Sequence, residues 1–264
     1  MTNDIGVLSG EPKPTKAVKT SVIPNKIDTS AFQIENSVDN TGKQKVCGVI
    51  IGASGSGKTT LATTAKDVII LDPEVDGTGY LGSEGFDVDV VKLPRRLAPI
   101  EFAELLEKIT TSEKKYKTIV FDSVDVYVDH IINFHKPQDK NDMGKTWSTV
   151  TNEFALLIDK LKATNLNIFF TAHEKEERDG DIIVKRIDMT GKGSVKALKS
   201  KCHIILGLKV EVNAKGKEER FLYNDPTGTM YDLKTRTSAF TGIKKIEPNL
   251  QLIIDTITGY KKTK

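Results

Sequence analysis

The stretch VCGVIIGASGSGKTTLATTA, residues 46–65, constrains the fold more than any other part of the chain. VCGVII is an apolar run with the length and branching of a buried strand. Gly52, Gly55 and Gly57 then crowd one short turn, and KTTLATTA opens a helix. Gly52-Ala53-Ser54-Gly55-Ser56-Gly57-Lys58-Thr59 fits the Gly-x-x-x-x-Gly-Lys-Ser/Thr spacing in full. Glycines at this spacing let successive backbone N–H groups aim at one point, and the helix adds the positive end of its dipole there. The expected occupant is the phosphate chain of a nucleotide, ATP. Lys58 would reach the β- and γ-phosphates, the Thr59 hydroxyl would ligate Mg²⁺, and Thr60 would extend the cradle into the helix.

Downstream, strand-like and helix-like segments alternate. DVIILD (67–72), FDVDVVKL (86–93), KTIVFD (117–122), NLNIFFTAH (165–173) and HIILGLKV (203–210) read as strands. IEFAELLEKIT (100–110), SVDVYVDHIINFH (123–135) and WSTVTNEFALLIDKLKA (147–163) carry helical periodicity, and a shorter helix is expected near 195–201. Such alternation predicts an α/β fold with a mostly parallel central sheet flanked by helices. DIIVKRIDM and ERFLYND add a small β-hairpin extension. The expected organisation is a flexible N-terminal arm over 1–44, a nucleotide-binding core over 45–245, and a short C-terminal helix with a basic tail over 246–264.

Composition sets bounds. With 38% hydrophobic and 28% charged residues the chain has the balance of a globular domain, and no apolar run is long enough to span a bilayer. The first residues, MTNDIGVLSGEPKPTK, lack the apolar centre of a signal peptide, so a cytoplasmic address and no membrane partner are expected. Cys47 and Cys202 stand alone, without zinc spacing, and read as two small core side chains. The net charge of +3 is too small to announce a nucleic-acid partner by itself.

The chemistry needs two more groups. KTIVFD ends an apolar strand in Asp122, where a carboxylate would hold Mg²⁺ beside Thr59. Ser123 follows, so a base immediately after the metal carboxylate is ruled out. LDPE places Asp72 and Glu74 at the carboxyl end of a neighbouring strand, the edge over which ligands of parallel sheets sit. Glu74 is therefore the candidate general base, with Asp72 in support. NIFFTAHE ends a further strand in Thr171 and His173, and His173 is a candidate sensor of the γ-phosphate.

The set GASGSGKT, LDPE, IVFDSV, TAHE and LKTRTSAF resembles the RecA-like P-loop ATPases, and more closely the compact phage-encoded single-strand annealing proteins. That resemblance implies an ATPase, stimulated by DNA, that promotes recombination or annealing. It implies Glu74 as base, Asp122 on the metal, and His173 where the family commonly has glutamine. It implies Lys234 and Arg236 reaching a neighbouring subunit's ATP, hence a homo-oligomer, ring or filament. Single-stranded DNA would be the partner, and a single-strand binding protein a further one. Basic segments suited to DNA are Lys185, Arg186, Lys192 and Lys196, with Lys136, Lys140, Lys145 and Trp147 as a second group. Trp147 could stack on a base or anchor the following helix. Two other classes share the phosphate loop. One is a small-molecule or nucleotide kinase, with Asp72 binding the acceptor and Arg95–Arg96 or Arg178 and Arg186 as a lid. The other is a helicase-loader-type adaptor that uses slow hydrolysis as a timer.

Overall fold

The structure, a computed structural model, describes residues 44–74, 76–136, 143–224 and 230–259. The expected N-terminal arm, most of the segment around Lys140, and the basic end with Lys261, Lys262 and Lys264 lie outside the described residues.

In chain order the elements are β1 (Cys47–Gly52), α1 (Lys58–Ala62), β2 (Val68–Asp72), β3 (Asp89–Lys92), α2 (Pro99–Thr111), β4 (Thr118–Phe121), α3 (Val124–His135), α4 (Met143–Ala163), β5 (Asn167–Asp179), β6 (Ile182–Ile187), α5 (Lys192–Lys201), β7 (Ile204–Val212), β8 (Glu218–Tyr223), β9 (Lys234–Thr235), β10 (Lys245–Ile246) and α6 (Leu250–Gly259). The sheet runs β10-β8-β7-β1-β5-β4-β2-β3, with β6 on β5 and β9 on β7. From β7 to β3 every neighbouring pair is parallel, and β8, β9 and β10 close one edge antiparallel. The fold is thus α/β, with a mostly parallel central sheet flanked by helices and a hairpin extension.

The strands read as unbroken apolar runs because both faces are covered. Successive side chains of β1 alternate between two cores. Cys47, Val49 and Ile51 join the cluster under α2, α3, α4 and α5. Val46 and Ile50 join the cluster under α1 and α6. Among the described residues no helix is long and apolar enough to cross a membrane. Cys47 and Cys202 are free buried thiols whose sulfurs lie 3.4 Å apart, as expected of small core residues.

Close packing leaves no room at Gly207 on β7. A Cβ there would stand 2.8 Å from the ring of Tyr231, which is fully buried. Gly207→Ala is therefore expected to lower stability by about 1–3 kcal/mol, the usual cost of overpacking a rigid site. Urea denaturation measures it, and an unchanged midpoint would mean that the Tyr231 ring has space to move.

One stretch departs from expectation. The strand expected over 165–173 does not end at His173. β5 continues to Asp179 and turns at Gly180, whose φ of 62° suits glycine, into β6. The high charge masked the strand. It is a cross-strand ladder in which Lys185 pairs with Glu174, and Arg186 meets Glu177 at 2.7 Å and Asp179 at 2.6 Å. α5 also begins three residues earlier than the sequence suggested. Gly193 lets it approach α4, since a Cβ at that position would fall 2.4 Å from the Thr151 hydroxyl.

Candidate active site

The phosphate loop leaves β1 at its carboxyl end and enters α1 at Gly57. Gly55 and Gly57 have φ of 74° and 97°, conformations that side chains with a Cβ rarely adopt. Gly52 is required for a different reason. A Cβ there would meet the Ser56 hydroxyl at 2.7 Å and the Leu208 carbonyl at 2.9 Å. The turn is closed by Ser56 N–H donating to Ala53 O at 3.2 Å, and α1 starts with Leu61 N–H donating to Gly57 O at 2.8 Å.

Lys58 is buried and folds back onto its own loop. Its ammonium donates to Gly52 O and Ala53 O, both at 3.0 Å. Burial pulls it below the usual lysine range, opposed by the carboxylates of Asp122, Asp125, Glu174 and Glu74. The Ser56 hydroxyl is buried in the loop without a hydrogen-bond partner. A positive group facing carbonyls, a loop with exposed Ser54 and Gly55, and an orphaned hydroxyl all fit a phosphate group.

Sheet order explains why distant residues meet here. β5 lies between β1 and β4, with His173 in register with Gly52 and Phe170 with Phe121. Thr171 therefore reaches Asp122 one residue beyond β4, and its hydroxyl donates to the carboxylate. Asp122 is buried, which pushes its carboxyl above the usual range; hydrogen bonds from Thr171 and Thr59 oppose this. A carboxylate and a hydroxyl at this spacing suit a magnesium ion that keeps its other positions for water and phosphate oxygens. Among the described residues no cluster of three or more acidic, histidine or cysteine side chains offers an all-protein cage.

β2 lies next to β4, and Asp122 N–H donates to Leu71 O at 2.9 Å. The turn after β2 is organised by Asp72, which is fully buried. Its Oδ1 accepts from Glu74 N–H at 2.8 Å, and its Oδ2 accepts from Thr78 N–H, the Thr78 hydroxyl and Lys92 at 3.1, 2.7 and 2.6 Å. Glu74 is aimed inward by that turn, and Ser123 Oγ donates to its Oε1 at 3.0 Å. Gly77 is the close approach that permits this, since a Cβ there would lie 2.9 Å from Glu74 Oε2.

The result is one open cleft of about 670 Å³ lined by Ser54, Gly55, Gly57, Lys58, Thr59, Thr60, Glu74, Asp122, Ser123 and His173, with Tyr80, Leu208, Arg220 and Pro248 at its sides. Gly52, Ala53 and Ser56 form the loop behind it.

His173 is held rather than free. Its Nδ1 lies 2.7 Å from Asp125 Oδ2, and that bond raises its pKa above the usual value, against the effect of burial. The folded state thus binds the histidine's proton more tightly than the unfolded chain. The stabilisation is full below the unfolded value of about 6.5 and is lost as pH rises through the higher folded value. His173→Gln is accordingly expected to lower the melting temperature more at pH 5.5 than at pH 8, these pH values bracketing roughly the histidine range. An equal loss at both would argue against a charged His173–Asp125 pair.

Other sequence candidates lie elsewhere. Lys234 and Arg236 sit on or after β9, which pairs with the start of β7, at the sheet edge opposite the loop. Lys234 donates to Lys199 O, and Arg236 to Ser200 O at 3.0 Å, so both satisfy carbonyls at the end of α5. They take no part in the cleft of their own chain. Lys185 and Arg186 are neutralised within the β5–β6 ladder, which corrects their reading as free DNA contacts. Lys192 and Lys196 are exposed on α5. Trp147 packs against Gly191 at the start of α5 and serves as an anchor.

Arg220 escaped the sequence reading. Its Nε donates to Ser56 O at 3.2 Å across 164 positions of chain. No local signal marks it. It reaches the loop because β7 runs past Gly52 and returns as β8, with Val210 opposite Arg220. Asp125, which orients His173, lies in the first turn of α3 and was equally silent.

Residues 44–237 match the family described as an AAA domain. No curated protein matches the sequence. Among solved structures the chain is similar to the KaiC-like protein PH0186 from the hyperthermophilic archaeon Pyrococcus horikoshii OT3, at 11% identity and a TM-score of 0.39, covering 67% of this chain and 77% of that one.

Proposed function

We propose that this chain, which belongs to the AAA domain family, is a P-loop ATPase that binds single-stranded DNA and promotes homologous recombination or strand annealing. One observation carries the ATPase half: Lys58, Thr59, Asp122 and Glu74 come from three different strand ends and line a single cleft.

In this reading the loop N–H groups and Lys58 hold the β- and γ-phosphates of ATP. Lys58 gives up its bonds to Gly52 O and Ala53 O for phosphate oxygens. Thr59 and Asp122 are the residues that would hold Mg²⁺, which when bound neutralises phosphate charge. Glu74 takes a proton from the attacking water, and Ser123 fixes its carboxylate. Arg220 stands against Gly57 and Ser56, where a guanidinium in the same chain would meet charge developing on the phosphates. His173, next to Gly52 and steadied by Asp125, passes the state of the γ-phosphate into the β5–β6 hairpin. Lys234 and Arg236 act on ATP only from a neighbouring subunit, which makes a homo-oligomer part of the proposal. Lys192 and Lys196 are the α5 contacts left for DNA.

The kinase alternative loses its acceptor group, because both oxygens of Asp72 already accept from donors of its own turn. The deciding experiment measures ATP turnover with and without single-stranded DNA over a range of salt, alongside sizing in both states. Turnover should rise with DNA, and the effect should weaken as salt screens phosphate contacts. Turnover that is indifferent to DNA at every salt concentration would remove the DNA half and leave an ATPase adaptor.

A further inference from the structure

Glu74 belongs to two clefts. Besides the cleft over the phosphate loop it lines a second open cleft of about 630 Å³, with Pro73, Arg95, Arg96, Val126, His130, Asn133 and Phe134. Apart from Glu74, the assigned chemistry uses none of these walls. Their makeup is nonetheless selective. Glu74 is the only acidic residue among them, against two arginines. Arg95 is exposed and makes no ion pair among the described residues. Arg96 lies over the Phe134 ring at 3.5 Å and is steadied by Glu153 at 3.6 Å. Phe134 is nevertheless 57% exposed, an aromatic ring displayed in the same cleft as Arg95. The His130 Nδ1 atom is buried without a hydrogen-bond partner, and burial together with Arg95 favours its neutral form.

We infer that this second cleft binds a nucleotide unit, with its phosphate on Arg95 and His130 and its base stacked on Phe134. An exposed cation suits a phosphate, an exposed ring suits a base, and the two stand together in one cleft. The inference deepens the DNA-binding half of the proposed function and rests on it for the source of the ligand, a single strand. A free mononucleotide has the same chemistry and is the other source. Because Glu74 forms a wall of both clefts, occupancy of the second is felt by the residue placed to activate water in the first. That gives the DNA response of turnover a physical route of one side chain.

The test is fluorescence anisotropy of a labelled oligothymidylate with the full chain and with Arg95→Ala and Phe134→Ala. Thymidine monophosphate serves unlabelled as competitor and, labelled, as a second probe in its own right. Both side chains are exposed, and melting temperatures check folding. Arg95→Ala is expected to weaken binding and to lower the slope of log affinity against log salt by about one. Phe134→Ala is expected to weaken it by about 5- to 150-fold, the worth of one stacked base. No competition by the monophosphate places the ligand in a strand. If instead the parent binds only the monophosphate, and the variants lose it, the cleft assignment stands and the DNA reading falls. An oligothymidylate bound equally by parent and variants overturns the cleft assignment while the DNA reading survives. Binding of neither ligand overturns both.

Discussion

A Glu74→Gln protein is expected to bind ATP with near-parental affinity and to hydrolyse it about 10²–10⁴-fold more slowly, the usual worth of a positioned general base. Glutamine keeps the size and the hydrogen-bond acceptor that Ser123 Oγ uses. It removes only the ability to take a proton. The contacts that hold nucleotide come from elsewhere, namely the loop, Lys58 and Thr59, so binding is not expected to change. Single-turnover hydrolysis and equilibrium binding of a labelled nucleotide separate the two effects. Parental turnover in this variant would transfer the base role away from Glu74 and undo the central assignment of the site.

The second large effect concerns stability. Asp72→Ala should be strongly destabilising, although Asp72 is not expected to touch nucleotide. It would leave the N–H and hydroxyl of Thr78, which is buried, and the N–H of Glu74 without their acceptor. Each buried donor left unpaired costs about 1–3 kcal/mol. Lys92 adds little, since its side chain is 47% exposed and can turn to water. Asp72→Asn separates architecture from aim. Its oxygen can still accept at the Thr78 side, while its amide group then faces the Glu74 N–H. The asparagine variant should therefore keep more stability than alanine, yet lose turnover through a misplaced Glu74. Urea denaturation and turnover on both variants test this. Two variants with parental stability would show that the turn holds itself without Asp72.

The phosphate loop was legible because its physics is local. Backbone N–H groups, two left-handed glycines and a helix start all lie within a few residues, so the pattern itself carries the geometry. The parallel sheet was legible for a similar reason, since strands buried on both faces must be apolar throughout. Asp122 and Glu74 could be named as candidates because each closes an apolar run, the point at which a parallel strand delivers its side chains to the ligand edge. Charge misled where it was paired. In the β5–β6 ladder, Lys185 and Arg186 look like free cations along the chain, but they face carboxylates across the hairpin. Lys234 and Arg236 look like free cations too, but β9 places them at the helix end on the opposite edge.

What stayed hidden depended on strand order, which residue types do not encode. With β5 between β1 and β4, His173 falls beside Gly52 and Thr171 beside Asp122; another order of the same strands would part them. With β8 folded back on β7, Arg220 arrives at Ser56 from the far end of the chain. Short-range chemistry is written in neighbouring residues, whereas a contact across 164 positions exists only after the sheet has chosen its register. The amino-acid order alone thus sufficed to place a glycine-rich loop suited to phosphate at residues 52–59. Only the assembled sheet decided that the Arg220 guanidinium would reach this loop and that Asp125 would hold His173 beside it.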